Sequence, residues 1–396
     1  MVQLLAEISA LQTQLTQWRR HFHRNPEASL QEFETTAYIQ NLLISWGIPF
    51  ETIEATGTLA TIKGTKSGAS QAQQERRILL RADIDALELP DQKGLDYSST
   101  KPGLNHACGH DAHTAGLLGA THYLNTHTEQ FAGTILIAFQ QAEEIGGGAR
   151  HFVASGLLAG VGQVFGIHVD PNVPLGSLEA VAGPQNASCD IFTIEVFGKN
   201  AHVAQPHQGI DALVAGASIV TELQNIVSRQ TDPLSAVVVG IGVFEAGTRY
   251  NIVADHAVIK GTVRALTHET REQTLAKVEQ IAKLTAEIHG ATITFENWDA
   301  ALPVINDEAA AQRAAKVAAE LVGTENVIVS KQPSMGADDF AAYLVDIQGV
   351  YGRVGVSSSP ETSYGLHHNK FNLDERALPI IANYHVAYAL DYLNEA

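Results

Sequence analysis

The stretch Asp190–Gln230, DIFTIEVFGKNAHVAQPHQGIDALVAGASIVTELQNIVSRQ, together with the residues that follow it to Phe295, decides how the chain is organised. Its order reads strand (Ile191–Phe197), helix (Ile210–Arg229), strand (Ala236–Val243), strand (His256–Arg264), helix (Glu269–His289) and strand (Thr292–Phe295). That is β-α-β-β-α-β, a ferredoxin-like unit able to form its own four-stranded sheet with helices on one face.

Outward from this unit the rhythm changes. On the amino-terminal side, β-branched or apolar runs at Thr58–Ile62, Ile78–Ala82, Thr134–Phe139 and Val164–Val169 read as strands, with a helix over roughly Ala112 to Asn125. On the other side come a helix from Glu308 to Val322, another from Asp338, a strand at Val350–Val356 and a closing helix from Asp374. Strands alternating with helices predict a largely parallel α/β sheet. The economical reading is one discontinuous α/β domain, residues 1–184 plus 300–396, interrupted by an inserted domain at 185–299. At the amino end, Leu4, Ile8, Leu11, Leu15, Trp18 and Phe22 mark an amphipathic helix closed by Pro26. A second helix is expected from Ser29, with Glu32 completing a capping box, to Gly47. The polar segment Gly64 to Glu75 reads as an exposed loop.

Composition narrows the function. The chain has 396 residues, 25 Lys+Arg and 43 Asp+Glu, for a formal charge of −18. So acidic a chain lacks the basic face that displaces counterions from nucleic acid, and it disfavours an anionic membrane. Two cysteines, Cys108 and Cys189, are too few for a disulfide framework and fit a reducing cytoplasm. The opening MVQLLAEISALQTQLTQWRRHF lacks the pattern of a signal peptide, and no apolar run approaches the ~20 residues of a membrane span. Seventeen histidines are more telling, because histidine ligates metals and carries protons near neutral pH.

The densest reactive cluster is HACGHDAH, with His106, Cys108, His110, Asp111 and His113 in eight residues. A tight turn at Gly109 feeding a helix can aim Cys108 and His110 into one cleft, which points to metal binding rather than a polar loop with an inert thiol. The Thr134–Phe139 strand runs into QQAEE, placing Glu143 and Glu144 at a strand end. The Val164–Val169 strand ends at His168, and Arg81 to Leu87 (RADIDAL) places Asp83 and Asp85 at another end. Ligands and catalysts in α/β sheets gather at such carboxyl ends, and aspartates there can orient metal-bound imidazoles. There is no GxGxxG after a strand, no phosphate-binding loop, no HExxH and no GxSxG. Dehydrogenase, NTPase, zincin and serine-hydrolase readings therefore lose their main support.

These residues resemble the di-metal amidohydrolases of the aminoacylase/carboxypeptidase G type. The nearest branch is that of hippurate hydrolases, N-acyl-amino-acid amidohydrolases and auxin-conjugate hydrolases. The resemblance runs through RRHFHRNPEASLQEFET, RADIDAL, HACGHDAH, AEE, GIHV, GKNAHVAQPHQGIDAL, NIVAD, GTVRAL, MGADDFAAYL and GLHHNKFNLDERAL. It implies a zinc-peptidase-like mixed-sheet catalytic domain with an inserted lid or dimerisation domain. It also implies two divalent ions per subunit (zinc, manganese, nickel or cobalt) on Cys108, His110, Glu144, His168 and His367. Glu143 would be the general base to a metal-activated water, and His202 would reach a neighbouring subunit's active site. Asn251 and Arg264 would contact the substrate's carboxylate end or the oxyanion, with Asp83 and Asp111 supporting the ligands from behind. The implied reaction is hydrolysis of an N-acyl amino acid in a homodimer or homotetramer.

Two departures stand out: Gln141 precedes AEE where the family often has Pro, and Asp338-Asp339-Phe340 replaces its usual Glu-Asp-Phe. A dipeptidase or carbamoyl amidase on the same scaffold is the nearest rival. A non-catalytic metal-binding relative, or a metal-free hydrolase with Cys108 as nucleophile, would be separated by activity and chelator sensitivity.

Overall fold

The computed structural model describes residues 6–395, so Leu4 of the opening helical pattern lies outside them. The chain divides into two compact units. The first comprises the residues up to Gly183, Asn306–Gln332 and those from Asp339 onward. The second comprises Pro184–Ile305 and the short return segment Pro333–Asp338.

The first unit is built on an eight-stranded sheet. Its order is Phe50–Ile53, Gly57–Lys63, Thr134–Gln140, Arg77–Asp83, Gln163–Pro174, Gln348–Ser357, Leu178–Glu179 and Val327–Ile328. The four central strands, Thr134–Gln140 to Gln348–Ser357, run parallel. They are nearly continuous apolar runs, as in TILIAFQ, buried from Ile135 onward. A strand buried on both faces needs such a run, which is why no alternation appears in the sequence. The margins are different: Gly57–Lys63 pairs antiparallel on both its sides, and Leu178–Glu179 is antiparallel to Gln348–Ser357. The sheet is mixed: parallel at its centre and again in the edge pair Leu178–Glu179 with Val327–Ile328, antiparallel between.

Local departures from expectation have local causes. The first helical pattern breaks at Leu11 into Ala6–Ala10 and Gln12–Arg24, and Leu15, Trp18 and Phe22 are buried as the spacing predicts. The Gly64–Glu75 segment holds a short helix, Gln71–Glu75, started by a capping box between Ser70 and Gln73. No capping box forms at Ser29: the helix begins at Phe33, and Ser29 and Glu32 bond elsewhere. Asp339–Val345 is a 3₁₀ turn in place of the helix expected from Asp338.

The second unit has the four-stranded antiparallel sheet that a β-α-β-β-α-β order permits. Its strand sequence across the sheet is Thr292–Ala301, Cys189–Phe197, His256–Ala265 and Val237–Ala246. Helices Ala212–Asn225 and His268–Ile288 pack on it through Ala215, Ile219, Leu223, Val278 and Ala282.

In the first unit, the closing helix Leu378–Asn394 buries His385 edge-on against Phe165, at 5.3 Å between ring centroids. Its Nδ1 has no hydrogen-bond partner among the described residues. Burial, with His113 nearby, pulls this imidazole from its ordinary 6.5 down to about 3. Between those values the unfolded chain binds a proton that the folded chain refuses, so acidification destabilises the fold. His385→Leu should remove up to about 1.4 kcal/mol per pH unit of that slope between pH 6.5 and 4. Denaturant melts of the metal-stripped protein at stepped pH measure it, and an unaltered slope would rule the residue out.

Candidate metal centre

The parallel strands and one helix start deliver the reactive side chains to a common place. Gly109, at φ 89°, caps the helix His110–Thr126. A Cβ at this position would lie 2.4 Å from Val169 Cγ2, so the turn between Cys108 and His110 requires glycine twice over. The Arg77–Asp83 strand carries Asp83 and leads to Asp85, Thr134–Gln140 leads to Glu143 and Glu144, and Gln163–Pro174 contains His168. His367 has a left-handed backbone, φ 61°, and its N–H donates to Ala107 O at 2.8 Å, tying its loop to the HACGH turn.

The donor atoms fall into overlapping groups within 4.8 Å: Cys108, His110 and His168; His110, Glu143 and Glu144; Cys108, Glu144 and His367. His168 Nε2 lies 3.4 Å from Cys108 Sγ, while its Nδ1–H donates to Val169 O at 2.7 Å. That backbone bond leaves the Nε2 lone pair turned toward the thiol. His110 repeats the device, with Nδ1–H donating to Asp85 O at 2.9 Å. Its Nε2 is buried with no hydrogen-bond partner among the described residues. Around that nitrogen stand Asp83 Oδ2 at 3.7 Å, Glu143 Oε2 at 3.9 Å and Glu144 Oε1 at 3.9 Å. His367 Nε2 is 3.6 Å from Glu144 Oε2 on the half-open side.

A buried imidazole nitrogen facing three carboxylates is a place for a cation. Burial opposes charge on His110, yet Asp83, Asp85 and Glu144 outweigh it and raise its pKa to about 10. The thiol, imidazole and carboxylate donors suit borderline ions such as zinc, and His110 and His168 each have Nδ1 engaged by a backbone carbonyl, as bound imidazoles require. The residues fit two divalent ions, which Cys108, His110, Glu144, His168 and His367 would hold.

Supporting groups lie behind the donors. Asp83 accepts from His113 Nδ1 at 2.6 Å and from Arg81 at 2.6 Å. His113 Nε2 in turn accepts from Val169 N at 2.9 Å, fixing the backbone beside His168. Burial opposes the Asp83 charge, but His110, Arg81 and His113 hold its carboxyl well below the usual range. Asp85, at the strand end with Asp83, grips His110 and also accepts from Glu144 N at 3.0 Å. Asp111 turns instead to Arg19 (3.0 Å) and His23 (2.7 Å), so it anchors the helix that carries His110 and touches no imidazole of the donor set. His106 is buried, and its ring makes no hydrogen bond among the described residues. Arg81 and Asp339 lie in the RADIDAL and MGADDFAAYL stretches, where the sequence assigns them no site role: their 2.9 Å ion pair is buried, and Asp339 also accepts from Gln140 and Ala149 N.

His202, Asn251 and Arg264 belong to the second unit. His202 is exposed, bridges to Ile252 and accepts from Ala204 N at Nδ1. Asn251 O accepts from Val203 N, so the two residues share one edge, and Arg264 donates to Met335 O at 3.0 Å.

A profile of peptidase family M20/M25/M40 matches residues 79–391. The chain belongs to this family. It is 36% identical over 96% of its length to the N-acetylcysteine deacetylase of Bacillus subtilis, covering 97% of that protein. It is 35% identical over 95% of its length to the IAA-amino acid hydrolase ILR1-like 4 of Arabidopsis thaliana, covering 85% of it. Among solved structures, a Bacillus subtilis protein described as a dinuclear metal binding peptidase of the M20 family superposes with a TM-score of 0.84. That match is 34% identical and covers 98% of this chain and 100% of the other. Like its family, this chain is a metal-dependent hydrolase. No helix among the described residues is long and apolar enough to cross a membrane.

Zinc at about a hundred times its dissociation constant should stabilise the fold by about 2.7 kcal/mol per site. Cys108→Ala and His168→Ala should each forfeit much of that gain in thermal melts. An undiminished shift in both proteins would remove the two residues from the ligand set.

Proposed function

We propose that this chain hydrolyses the amide bond of N-acyl amino acids, of the hippurate, N-acetyl or auxin-conjugate kind, to a carboxylic acid and an amino acid. The observation that carries the reading is the glutamate pair: two adjacent carboxylates both stand 3.9 Å from His110 Nε2, a buried atom with no hydrogen bond among the described residues. Of the two, Glu144 is assigned to hold an ion there and Glu143 to move a proton. The names of the relatives, a deacetylase of an N-acetyl amino acid and a hydrolase of an amino-acid conjugate, support the same bond.

Ions bound by Cys108, His110, Glu144, His168 and His367 would supply Lewis acidity, acidifying a water and polarising the amide carbonyl. The Glu143 carboxylate takes the proton from the attacking water and delivers it to the amide nitrogen, so the C–N bond breaks with a neutral amine leaving. His202 accepts from Ala204 N at Nδ1, which keeps its own proton on Nε2, the donor assigned to the oxyanion. Arg264 and Asn251 are assigned to the substrate's carboxylate end, where a guanidinium offers paired donors.

A homodimer or homotetramer fits the second unit's edge. Strand Val237–Ala246 pairs on one side and exposes Val238 (41%) and Phe244 (39%), while helix Ala212–Asn225 exposes Leu213 and Val214. An apolar edge strand of this kind calls for a cover, and a second copy supplies one. Cys108, a proposed ligand, and Cys189 are in no disulfide, which favours the reducing cytoplasm.

Glu143→Gln should retain zinc while hydrolysis falls by at least about a hundredfold, measured by atomic emission and by amino-acid release across N-acetyl, N-benzoyl, dipeptide and carbamoyl substrates. Near-normal turnover would sink the proton role, and preference for dipeptides or carbamoyl substrates would hand the reading to the rival. If His202 acts across an interface, mixed dimers of His202→Ala and Glu143→Gln subunits should regain activity that neither parent has. Dead mixtures would argue for a site built within one subunit.

A further inference from the structure

The glutamate pair is preceded by a backbone oddity. Ala142 is fully buried and has φ 55°, a left-handed conformation that costs a non-glycine residue about 1–2 kcal/mol. Nothing in its methyl side chain favours that state, so its surroundings must impose it. Its carbonyl accepts from Gly147 N and Gly148 N, each at 3.2 Å. Its N–H donates to Glu32 Oε1 at 2.9 Å.

Glu32 comes from the far amino-terminal segment and is completely buried. Its second oxygen accepts from the Thr56 hydroxyl at 2.8 Å, which fixes the rotamer. Burial raises its carboxyl pKa, and the bonds from Thr56 and Ala142 oppose the rise. Two residues further on, Glu144 N donates to Asp85 Oδ2 at 3.0 Å, and Ser29 donates to the same oxygen at 2.7 Å. Carboxylates thus grip the amides on either side of Glu143. A return of Ala142 to an ordinary negative φ, a rotation of about 120°, would swing the following residues by several ångströms.

We infer that Glu32 is a positioning residue: its carboxylate holds Ala142 in the left-handed conformation and thereby sets how Glu143 and Glu144 enter the metal centre. This rests on the roles proposed above for the glutamate pair. The role is one of reach, not charge. An amide of the same length keeps both bonds, accepting from Ala142 N and donating to Thr56 Oγ1. A shorter carboxylate keeps the charge but falls a methylene short.

The test compares the full-length zinc-loaded enzyme with Glu32→Gln, Glu32→Asp and Glu32→Asp/Ala142→Gly. Glu32→Asp should lower kcat about thirtyfold with KM held within about threefold, as expected of a misplaced reacting group. It should also retain less zinc after gel filtration, a quantity read without substrate. Glu32→Gln should keep at least about a third of kcat and its zinc, and glycine, which takes φ > 0 freely, should restore about tenfold to the aspartate variant. Ala142→Val attacks the same backbone state from the other side and should reproduce the Glu32→Asp losses. A Glu32→Gln protein that misfolds or loses zinc overturns the inference, as does a Glu32→Asp protein that retains both kcat and zinc, or one that glycine fails to rescue. Should the wild type release no amino acid from any N-acyl substrate while the zinc ordering holds, the reaction is at fault and the positioning role stands.

Discussion

Three carboxylates within 4 Å of one buried imidazole nitrogen are the constraint on which the first unit depends. In a low-dielectric interior, such a cluster is tolerable only if positive charge meets it. The chain provides some of that charge itself. Arg81, buried between Asp83 and Asp339, neutralises the rear of the cluster. Arg19 does the same for Asp111 one helical residue away from His110. Glu143, Glu144 and His367 lie forward of these pairs, and ions would be held there.

The sheet explains why so many polar groups can meet. The parallel strands Arg77–Asp83 and Thr134–Gln140 end at one level, and Gln163–Pro174 carries His168 past that level before running on. The apolar runs supply rigidity, so the strand ends move little relative to one another. The turns beyond them are then free to adopt costly conformations. Gly109, Ala142 and His367 all have positive φ, and all three adjoin or belong to the donor set. Strain concentrated there is held in place by bonds from remote segments, Glu32 to Ala142 N and Ala107 O from His367 N.

Much of this was legible in the sequence, and the failures share a cause. Strands with unbroken apolar runs and the β-α-β-β-α-β order could be read because their signals are local and periodic. Candidate donors could be picked out because Cys108 and His110 flank a glycine, Glu144 follows a strand and His168 lies in one. Arg81, Asp339 and Glu32 were missed because each acts through a partner far along the chain: Arg81 and Asp339 are 258 residues apart, and Glu32 and Ala142 are 110 apart. Glu32 is the instructive case. Three residues after a serine it fits a capping box, a local bond worth about 1 kcal/mol. Ser29 and Glu32 instead spend their hydrogen-bonding capacity on Asp85, Thr56 and Ala142, where burial makes each bond costlier to omit.

The acidic surface takes its meaning from the same centre. A net charge of −18 repels a substrate that carries a carboxylate, so attraction has to be local. Two divalent ions held there would more than offset the Cys108 thiolate and the Glu143 and Glu144 carboxylates, leaving local positive charge. On the proposed reading, metal loading would decide whether the centre repels or admits an anionic substrate. Low ionic strength sharpens that contrast, because the exposed acidic groups are screened by salt while charges at a partly buried centre are screened much less.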